Sequence, residues 1–388
     1  MKRDVRGNVE RMNQMNVENL LDMPKLGFGL MRLPKNEDGT IDVETSCRMV
    51  DACMENGFYY FDTAYVYDGG ASERSVKELL TSRYPREQFC LATKLPSKEL
   101  ETAEDRERVF QIQLERTGAE YFDFYLLHAI SRENIGVFEK MDCFHWLLEK
   151  KAQGLIRHVG FSFHDTPEML DEVLTNHPEM EFVQLQINYA DWENDKVQSR
   201  GVYEVARKHG KPIIIMEPVK GGSLAGLRED VGCGLKKARP EASYASWALR
   251  FAASREGLLT VLSGMSDEAQ VADNIATMKD FEPLTEEETR LIAEVTEKLN
   301  QIPTVACTAC RYCVEGCPQN IRIPDMIKYL NSCKVYGYTA SVGRTFDLSV
   351  KDGSGKPSDC VQCGQCESAC PQHLPVIRIL EEAAKVLE

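Results

Sequence analysis

The chain has 388 residues, 43% of them hydrophobic, a formal net charge of −15 and 14 cysteines. That length carries two or three domains. The acidic balance argues against nucleic-acid and anionic-membrane partners, which need clustered Lys and Arg. No apolar run approaches the roughly 18–20 residues of a spanning helix. The opening MKRDVRGNVERMNQMN has no apolar h-region, so a secretory signal is not expected.

Residues 1–22 are polar and Asn-rich, and read equally as a frayed arm or a barrel cap. From residue 24 to 300 short apolar runs alternate with amphipathic ones. Strands are predicted at Leu26–Gly29, Tyr59–Phe61, Phe89–Thr93, Phe122–Leu127, His158–Phe161, Phe182–Ile187, Pro212–Met216 and Leu259–Leu262. Helical patterns follow at Cys47–Glu55, Ser75–Ser82, Glu107–Thr117, Val137–Lys150, Pro167–Thr175, Val202–His209, Tyr244–Ser254 and Asp267–Thr277. Such alternation implies a parallel sheet, and eight units fit a closed (β/α)8 barrel. An open doubly wound sheet is the competing reading. Its Gly-rich fingerprint is missing, because Gly27-Phe28-Gly29 continues into Leu30-Met31-Arg32 without a third glycine.

Functional residues of a barrel sit at the C-terminal strand ends. In order these ends carry Asp62, Lys94, His128, Ser162, Gln184 with Asn188, and Glu217. Strand ends are also where polar residues ordinarily begin, and Asp62–Lys94 reads alternatively as a structural ion pair.

The cysteines divide sharply. Six are scattered, at 47, 53, 90, 143, 233 and 333. Eight form Cys307-x2-Cys310-x2-Cys313-x3-Cys317-Pro318 and Cys360-x2-Cys363-x2-Cys366-x3-Cys370-Pro371. This is the bacterial ferredoxin spacing, twice. Zinc sites favour two separated cysteine pairs, so zinc fits poorly. Residues 301–388 hold nine of the 46 Lys/Arg and nine of the 61 Asp/Glu, so the whole −15 lies in the first 300 residues. A domain boundary is placed there, giving a barrel over 1–300 and a two-cluster module over 301–388. Within the module, Met326–Leu330 and Ile377–Leu387 read as helical, and the Gly/Ser/Thr-rich stretch Tyr336–Ser358 reads as a loop. Cys333 reads as a core thiol.

Asp62-Thr-Ala-x-x-Tyr67, Lys94 closing Leu91-Ala-Thr-Lys, His128 closing Tyr125-Leu-Leu-His, and the opening Leu26-Gly-Phe-Gly-Leu-Met-Arg-Leu together resemble the aldo-keto reductase superfamily over residues 24–300. The C-terminal module resembles an α-helical ferredoxin. The fold implied is a (β/α)8 TIM barrel followed by a small α-helical ferredoxin-like iron-sulfur domain. The resemblance makes Tyr67 the proton donor to a carbonyl. It makes His128 the group that orients the carbonyl oxygen, and Lys94, paired with Asp62, a cation that would draw the phenol pKa toward neutrality. It further implies NAD(P)H binding by Ser162, Gln184, Met216, Gly221, Ser263, Gly264, Met265, Ser266, Gln270 and Asn274. Two departures stand out: Phe163 where Asn is usual, and Met216 where an aromatic residue often stacks. The Lys-Ser and Arg that grip a 2′-phosphate are not evident, which leaves NADH against NADPH open. By the ferredoxin resemblance, one 4Fe-4S cluster takes Cys307, Cys310, Cys313 and Cys370, and the other takes Cys360, Cys363, Cys366 and Cys317.

The implied function is an oxidoreductase that reduces a small-molecule carbonyl, or oxidises an alcohol, with the clusters as electron relay and a redox protein as a further partner. Hydride transfer moves two electrons and each cluster moves one. A flavin is the usual converter, no flavin motif is recognisable, and the Ser263–Ser266 loop suits FMN as well as NAD(P). The alternatives are an electron-transfer protein with the barrel as scaffold or flavin site, and a reductase with purely structural clusters. Oxidisable thiolates suggest a reducing, low-oxygen cytoplasm. Phe28, Tyr65, Phe163 and Trp192 are candidate walls of a substrate pocket.

Overall fold

The structure is a computed structural model that describes residues 17–195, 197–307, 309–351 and 353–388. Expectations for residues 1–16 lie outside the described residues. The chain divides into two compact units. One comprises the residues through Pro218 with Ser246–Thr285, and the other Val219–Ala245 with Glu286–Glu388.

In the first unit eight parallel strands close into a barrel in chain order: β1 Leu26–Gly29, β2 Tyr60–Asp62, β3 Cys90–Pro96, β4 Phe122–Ile130, β5 Ile156–Phe163, β6 Phe182–Gln186, β7 Ile213–Met216 and β8 Leu258–Gly264. All eight predicted strands form, and the open doubly wound alternative does not. Helices α1 Val43–Glu55, α2 Ala71–Val76, α3 Asp105–Thr117, α4 Ile135–Lys140, α5 Cys143–Ala152, α6 Pro167–Asn176 and α7 Ser199–Lys208 follow the strands. The single helix predicted over Val137–Lys150 is two, α4 and α5. Asp142 takes a left-handed φ of 50° between them. The Arg106 guanidinium covers the break, donating to the Met141 and Asp142 carbonyls.

The barrel interior follows the period of two along each strand. Tyr60, Cys90, Ala92, Phe124, Leu126, Phe182, Ile214 and Leu262 pack as one buried cluster. Leu20, from the short 3-10 turn Val17–Asp22, and Met23 pack against the same cluster, so this part of the N-terminal stretch caps the barrel. Gly160 permits the β5–β6 contact, because a Cβ there would lie 2.4 Å from the Phe182 carbonyl oxygen.

The second unit contains α8 Glu229–Ala238, the start of α9 Tyr244–Ala253, and α11 Glu286–Gln301; α10 Glu268–Lys279 belongs to the barrel unit. Helices α8 and α11 escaped the sequence reading. They pack together, with Arg239 Nε 2.6 Å from Glu288 Oε1.

The cysteine-rich part is an internal repeat with an offset of 53 positions, Cys307 to Cys360. The short helix α12 Tyr312–Glu315 corresponds to α15 Gln365–Ser368, and α13 Ile323–Tyr336 corresponds to α16 Val376–Leu387. Left-handed backbone recurs at matched positions: Ala309 and Gln362, Arg311 and Gly364, Asn320 and His373. The long helices α13 and α16 pack on each other, burying Ile323, Ile327, Leu330, Val376, Leu380 and Ala383.

Between the repeats the expected loop over Tyr336–Ser358 contains a helix, α14 Ala340–Val350. Its small polar residues mislead because they serve as caps and close-packing positions. Thr339 Oγ accepts the Val342 N–H, and Gly343 sits against the Tyr338 ring, where a Cβ would lie 2.6 Å from the hydroxyl. Val342 and Phe346 face the core, and Phe346 meets Tyr329 edge-on at 6.5 Å. Among the described residues no helix is long and apolar enough to cross a membrane.

If α14 is core rather than loop, Phe346→Ala should destabilise the protein by about 3–5 kcal/mol. The check is the denaturation midpoint followed by circular dichroism. A loop residue would leave it within about 0.5 kcal/mol.

Candidate functional site

Two residues beyond the buried interior layer, the same inward parity brings polar groups to the barrel mouth. Tyr60 leads to Asp62, Ala92 to Lys94, Leu126 to His128, Phe182 to Gln184 and Ile214 to Met216. Lys94 Nζ lies 2.6 Å from Asp62 Oδ1, 2.8 Å from the Thr63 carbonyl and 3.3 Å from the Tyr67 hydroxyl. The lysine is fully buried and Asp62 nearly so. Tyr67 opens the turn after β2, where Asp68 takes φ 52°, and its ring stands edge-on to His128 at 5.8 Å. A register shift between Leu127 and Ile130, with Ala129 at φ 57°, interrupts the β4–β5 ladder beside His128 before pairing resumes at Ile130 and Phe163. Such an irregularity re-aims a side chain. The four residues expected to act together are thus brought together.

Their electrostatics refine one expectation. Burial raises the Tyr67 pKa above that of an ordinary phenol. Lys94 pulls it down, but Asp62 and Glu217 push back, and the net shift is upward rather than toward neutrality. Burial outweighs the cation because the lysine's charge is already engaged by Asp62. Burial opposes the Lys94 ammonium too, yet the Asp62 carboxylate and the Tyr67 oxygen leave its pKa raised. His128 is pushed down to about 3 by burial, then by Lys94 and His164. At neutral pH the site holds a phenol, an ammonium and a neutral imidazole.

A polar network behind β3 was not legible in the sequence. The fully buried Glu73 accepts from Thr93 Oγ1 and Gln113 Nε2, both at 2.7 Å, and from Arg116 Nη1 at 3.1 Å. Gln113 also donates to the Lys94 carbonyl at 3.0 Å. Arg116 reaches the Tyr65 carbonyl at 3.2 Å and lies 4.3 Å from the centre of the Tyr65 ring. The network therefore fixes both the strand that carries Lys94 and the loop that carries Tyr67. Its members are spread over four elements, and only Ser72-Glu73 shortly after Tyr67 could have hinted at it.

The expected nucleotide contacts fall into three groups. Near the tetrad, Ser162 Oγ accepts the Ala129 N–H at 2.7 Å and keeps its own proton to donate. Gln184 Nε2 approaches Met216 Sδ at 3.5 Å, while its buried Oε1 has no hydrogen-bond partner. An unpaired acceptor beside a free hydroxyl proton suits a carboxamide, which both donates and accepts. After β8, Asn274 donates to Ser263 Oγ at 2.9 Å within the buried layer, and Met265 is fully buried. Gly264 is exposed, and a Cβ there would lie 3.2 Å from Arg32 Cδ. Ser266 N–H donates to Gln270 Oε1 at 2.9 Å, and Asp267 caps α10 by accepting from Gln270 N–H at 2.8 Å. Gly221 belongs to the other unit, in the turn Lys220–Gly222 at φ 63°.

Phe28 and Phe163 are buried packing residues rather than pocket walls. Trp192 is held among Tyr203, Phe251 and the Arg255 guanidinium. At the end of β7, Glu217 takes φ 55°, pinned through its carbonyl by Asn188 Nδ2 at 3.1 Å, and faces Arg32 at 3.6 Å.

In the second unit all eight motif cysteines are free thiols around two cavities. One is lined by Cys307, Cys310, Cys313 and Cys370, and the other by Cys317, Cys360, Cys363 and Cys366. Each cavity takes three sulfurs from one repeat and the fourth from the other. Among the described residues no three Cys, His, Asp or Glu side chains close on a single metal-ion site. Left-handed backbone recurs beside the cysteines at Ala309, Arg311, Gln362 and Gly364, the conformation that N–H nests for anionic groups use. Backbone N–H groups already point at sulfur, Ala309 at Cys307 Sγ and Ile321 at Cys317 Sγ, both 3.4 Å. These residues fit a polynuclear iron-sulfur group.

The sequence model described as the Aldo/keto reductase family matches residues 25–297. The chain belongs to this family. A 4Fe-4S dicluster domain model matches residues 306–374, so the reductase barrel carries a C-terminal iron-sulfur domain. The chain is 25% identical over 218 residues to a probable aldo-keto reductase 1 of Glycine max, covering 53% of this chain and 58% of that protein. It is 23% identical over 303 residues to the uncharacterized oxidoreductase YqkF of Bacillus subtilis, covering 72% and 94%. The matched span is thus little more than half the length of the soybean relative. Among solved structures, it resembles the holo form of aldo-keto reductase AKR11C1 from Bacillus halodurans at 24% identity and TM-score 0.56, covering 70% of this chain and 91% of that one. An aldo-keto reductase from Klebsiella pneumoniae in complex with NADPH aligns at 20% identity and TM-score 0.57, covering 71% and 91%. These likenesses show the barrel fold. The protein is an oxidoreductase of the aldo/keto reductase family.

Removing one partner of a buried ion pair leaves the other uncompensated. Lys94→Met should therefore destabilise the barrel by about 3–5 kcal/mol, and adding Asp62→Asn should restore part of that loss. A double-mutant cycle in denaturant reads the coupling. Equal, additive losses would dissolve the pair as a structural element.

Proposed function

We propose that the barrel reduces a small-molecule carbonyl compound, in reverse oxidising the alcohol, and that the two-cluster domain serves it as an electron relay. A nicotinamide nucleotide, when bound, supplies the hydride that adds to the carbonyl carbon. Two 4Fe-4S clusters held by the cysteine sets above supply one-electron capacity. Everything else falls to the chain's own side chains.

The observation that carries this reading is the Tyr67 phenol against the buried Lys94–Asp62 pair. As charge develops on the carbonyl oxygen, Tyr67 O–H gives its proton there, and the phenolate left behind faces the Lys94 ammonium. Asp62 holds that ammonium in place. His128, neutral at working pH, donates a hydrogen bond to the same oxygen and sets the carbonyl's orientation. The unpaired Gln184 Oε1 and the Ser162 O–H support binding of a carboxamide, which favours a nicotinamide over a flavin. A barrel used only as a scaffold has no need of a buried cation beside a phenol.

Tyr67→Phe should lower carbonyl reduction by about 10²–10⁴-fold with nucleotide affinity kept. Unchanged turnover across a panel of aldehydes and ketones would sink the acid role. The pH profile follows from the shifts above. A general acid works below its pKa, and the Tyr67 pKa lies above the ordinary phenol value of 10.0. Reduction should therefore stay level through neutral pH and fall only in strong base. With His128 at about 3, no limb should appear between pH 6 and 7. An acid limb there, lost in His128→Gln, would contradict a neutral imidazole. The relay is tested anaerobically. NADH or NADPH added to the holoprotein should bleach the visible cluster absorbance, and carbonyl turnover without bleaching would remove it.

A further inference from the structure

The repeat supplies an internal control for what surrounds each cluster. The two halves match in ligand spacing, in three left-handed positions and in their helices. They differ in the wall. Among the described residues, the cavity of Cys307, Cys310, Cys313 and Cys370 has one charged wall residue, Arg311, and the cavity of Cys317, Cys360, Cys363 and Cys366 has none. Arg311 stands in the repeat where the other half has Gly364. Both take the left-handed backbone, at φ 66° and 76°. Only glycine adopts that conformation without strain, so the first half carries an arginine where the local backbone favours none.

The guanidinium is partly balanced by Asp325 at 3.3 Å, but Asp325 is not a wall residue. The cationic residue of the pair is thus the one that borders the cavity. Burial differs in the same sense. Cys366 is buried, while Cys313, its counterpart in the repeat, is only half-buried. A nearby cation and greater solvent access both favour the more negative, reduced state of a cluster.

We propose that Arg311 makes the cluster held by Cys307, Cys310, Cys313 and Cys370 the easier of the two to reduce, so that electrons enter the pair in a fixed order. This rests on the ligand sets proposed above. Each reduction adds one electron to one cluster, taking its core from 2+ to 1+, and no bond is made or broken. Within the relay the cluster beside Arg311 is the one that holds an electron longest.

The test is a redox titration of the intact holoprotein with dithionite, followed by electron paramagnetic resonance. Iron and sulfide are assayed first, at about eight each per chain for two cubane clusters. The native protein should show two separate midpoints. Arg311→Gly should lower the upper midpoint and leave the lower one in place, and Arg311→Lys should keep most of the separation. Gly364→Arg, which places an arginine on a backbone the other repeat already tolerates, should raise the lower midpoint. A single shared midpoint, or an Arg311→Gly shift that is absent or equal for both clusters, overturns the proposal while the cluster reading stands. Iron far short of two clusters in the native protein overturns both.

Discussion

The contact between Lys94 and Asp62 constrains everything around it. An ammonium with no solvent exposure is tenable only with an anion and further acceptors in place. Asp62 Oδ1 and the Thr63 carbonyl provide them. Asp62 in turn is a buried carboxylate whose Oδ2 has no partner, so it depends on the lysine as much as the lysine depends on it. Neither residue can be accommodated unless β2 and β3 stay in register and Tyr67 closes over them. Around the pair, the network of Glu73, Gln113 and Arg116 fixes the backbone from behind. The Tyr67 phenol is held against a charge that was costly to bury, and the surrounding contacts hold that charge in place.

The strands were readable because each is a short apolar run with polar punctuation, and because an alternating pattern carries its own facing. Once the interior parity is known, the step of two from Tyr60 to Asp62 or from Ala92 to Lys94 locates the mouth residues without coordinates. Asp62, Lys94 and His128 were legible as polar residues at strand ends, and Tyr67 through the Asp62-Thr-Ala-x-x-Tyr67 pattern that resembles the family. What could not be read depends on contacts far apart in sequence. The strength of Tyr67 as an acid turns on how deeply it is buried against how fully Lys94 is engaged, and no spacing rule carries that balance. Glu73 and Arg116 meet across 43 positions. The helix Ala340–Val350 was hidden by composition. Gly, Ser and Thr signal loops on average, yet here they cap a helix and admit a tyrosine.

The division of the chain also departs from a cut at one point in sequence. Val219–Ala245, which follows β7, belongs to the unit that holds the cysteines, together with Glu286–Gln301. The charge step near residue 300 marks where the acidic segments end, and the packing that groups Glu286–Gln301 with the cysteines runs across it. Helices α8 and α11 give the cysteine-rich unit a helical layer of its own, so it is larger than the stretch matched by the dicluster pattern.

The exchange of one cysteine between the repeats has a consequence for assembly. Cys370 joins the wall made by the first motif, and Cys317 joins the wall made by the second. A group bound in either cavity is therefore a cross-link between two distant segments. It removes chain entropy that neither motif could restrict alone. Two such ties run in opposite directions through the same small body, so each half is completed only by its twin.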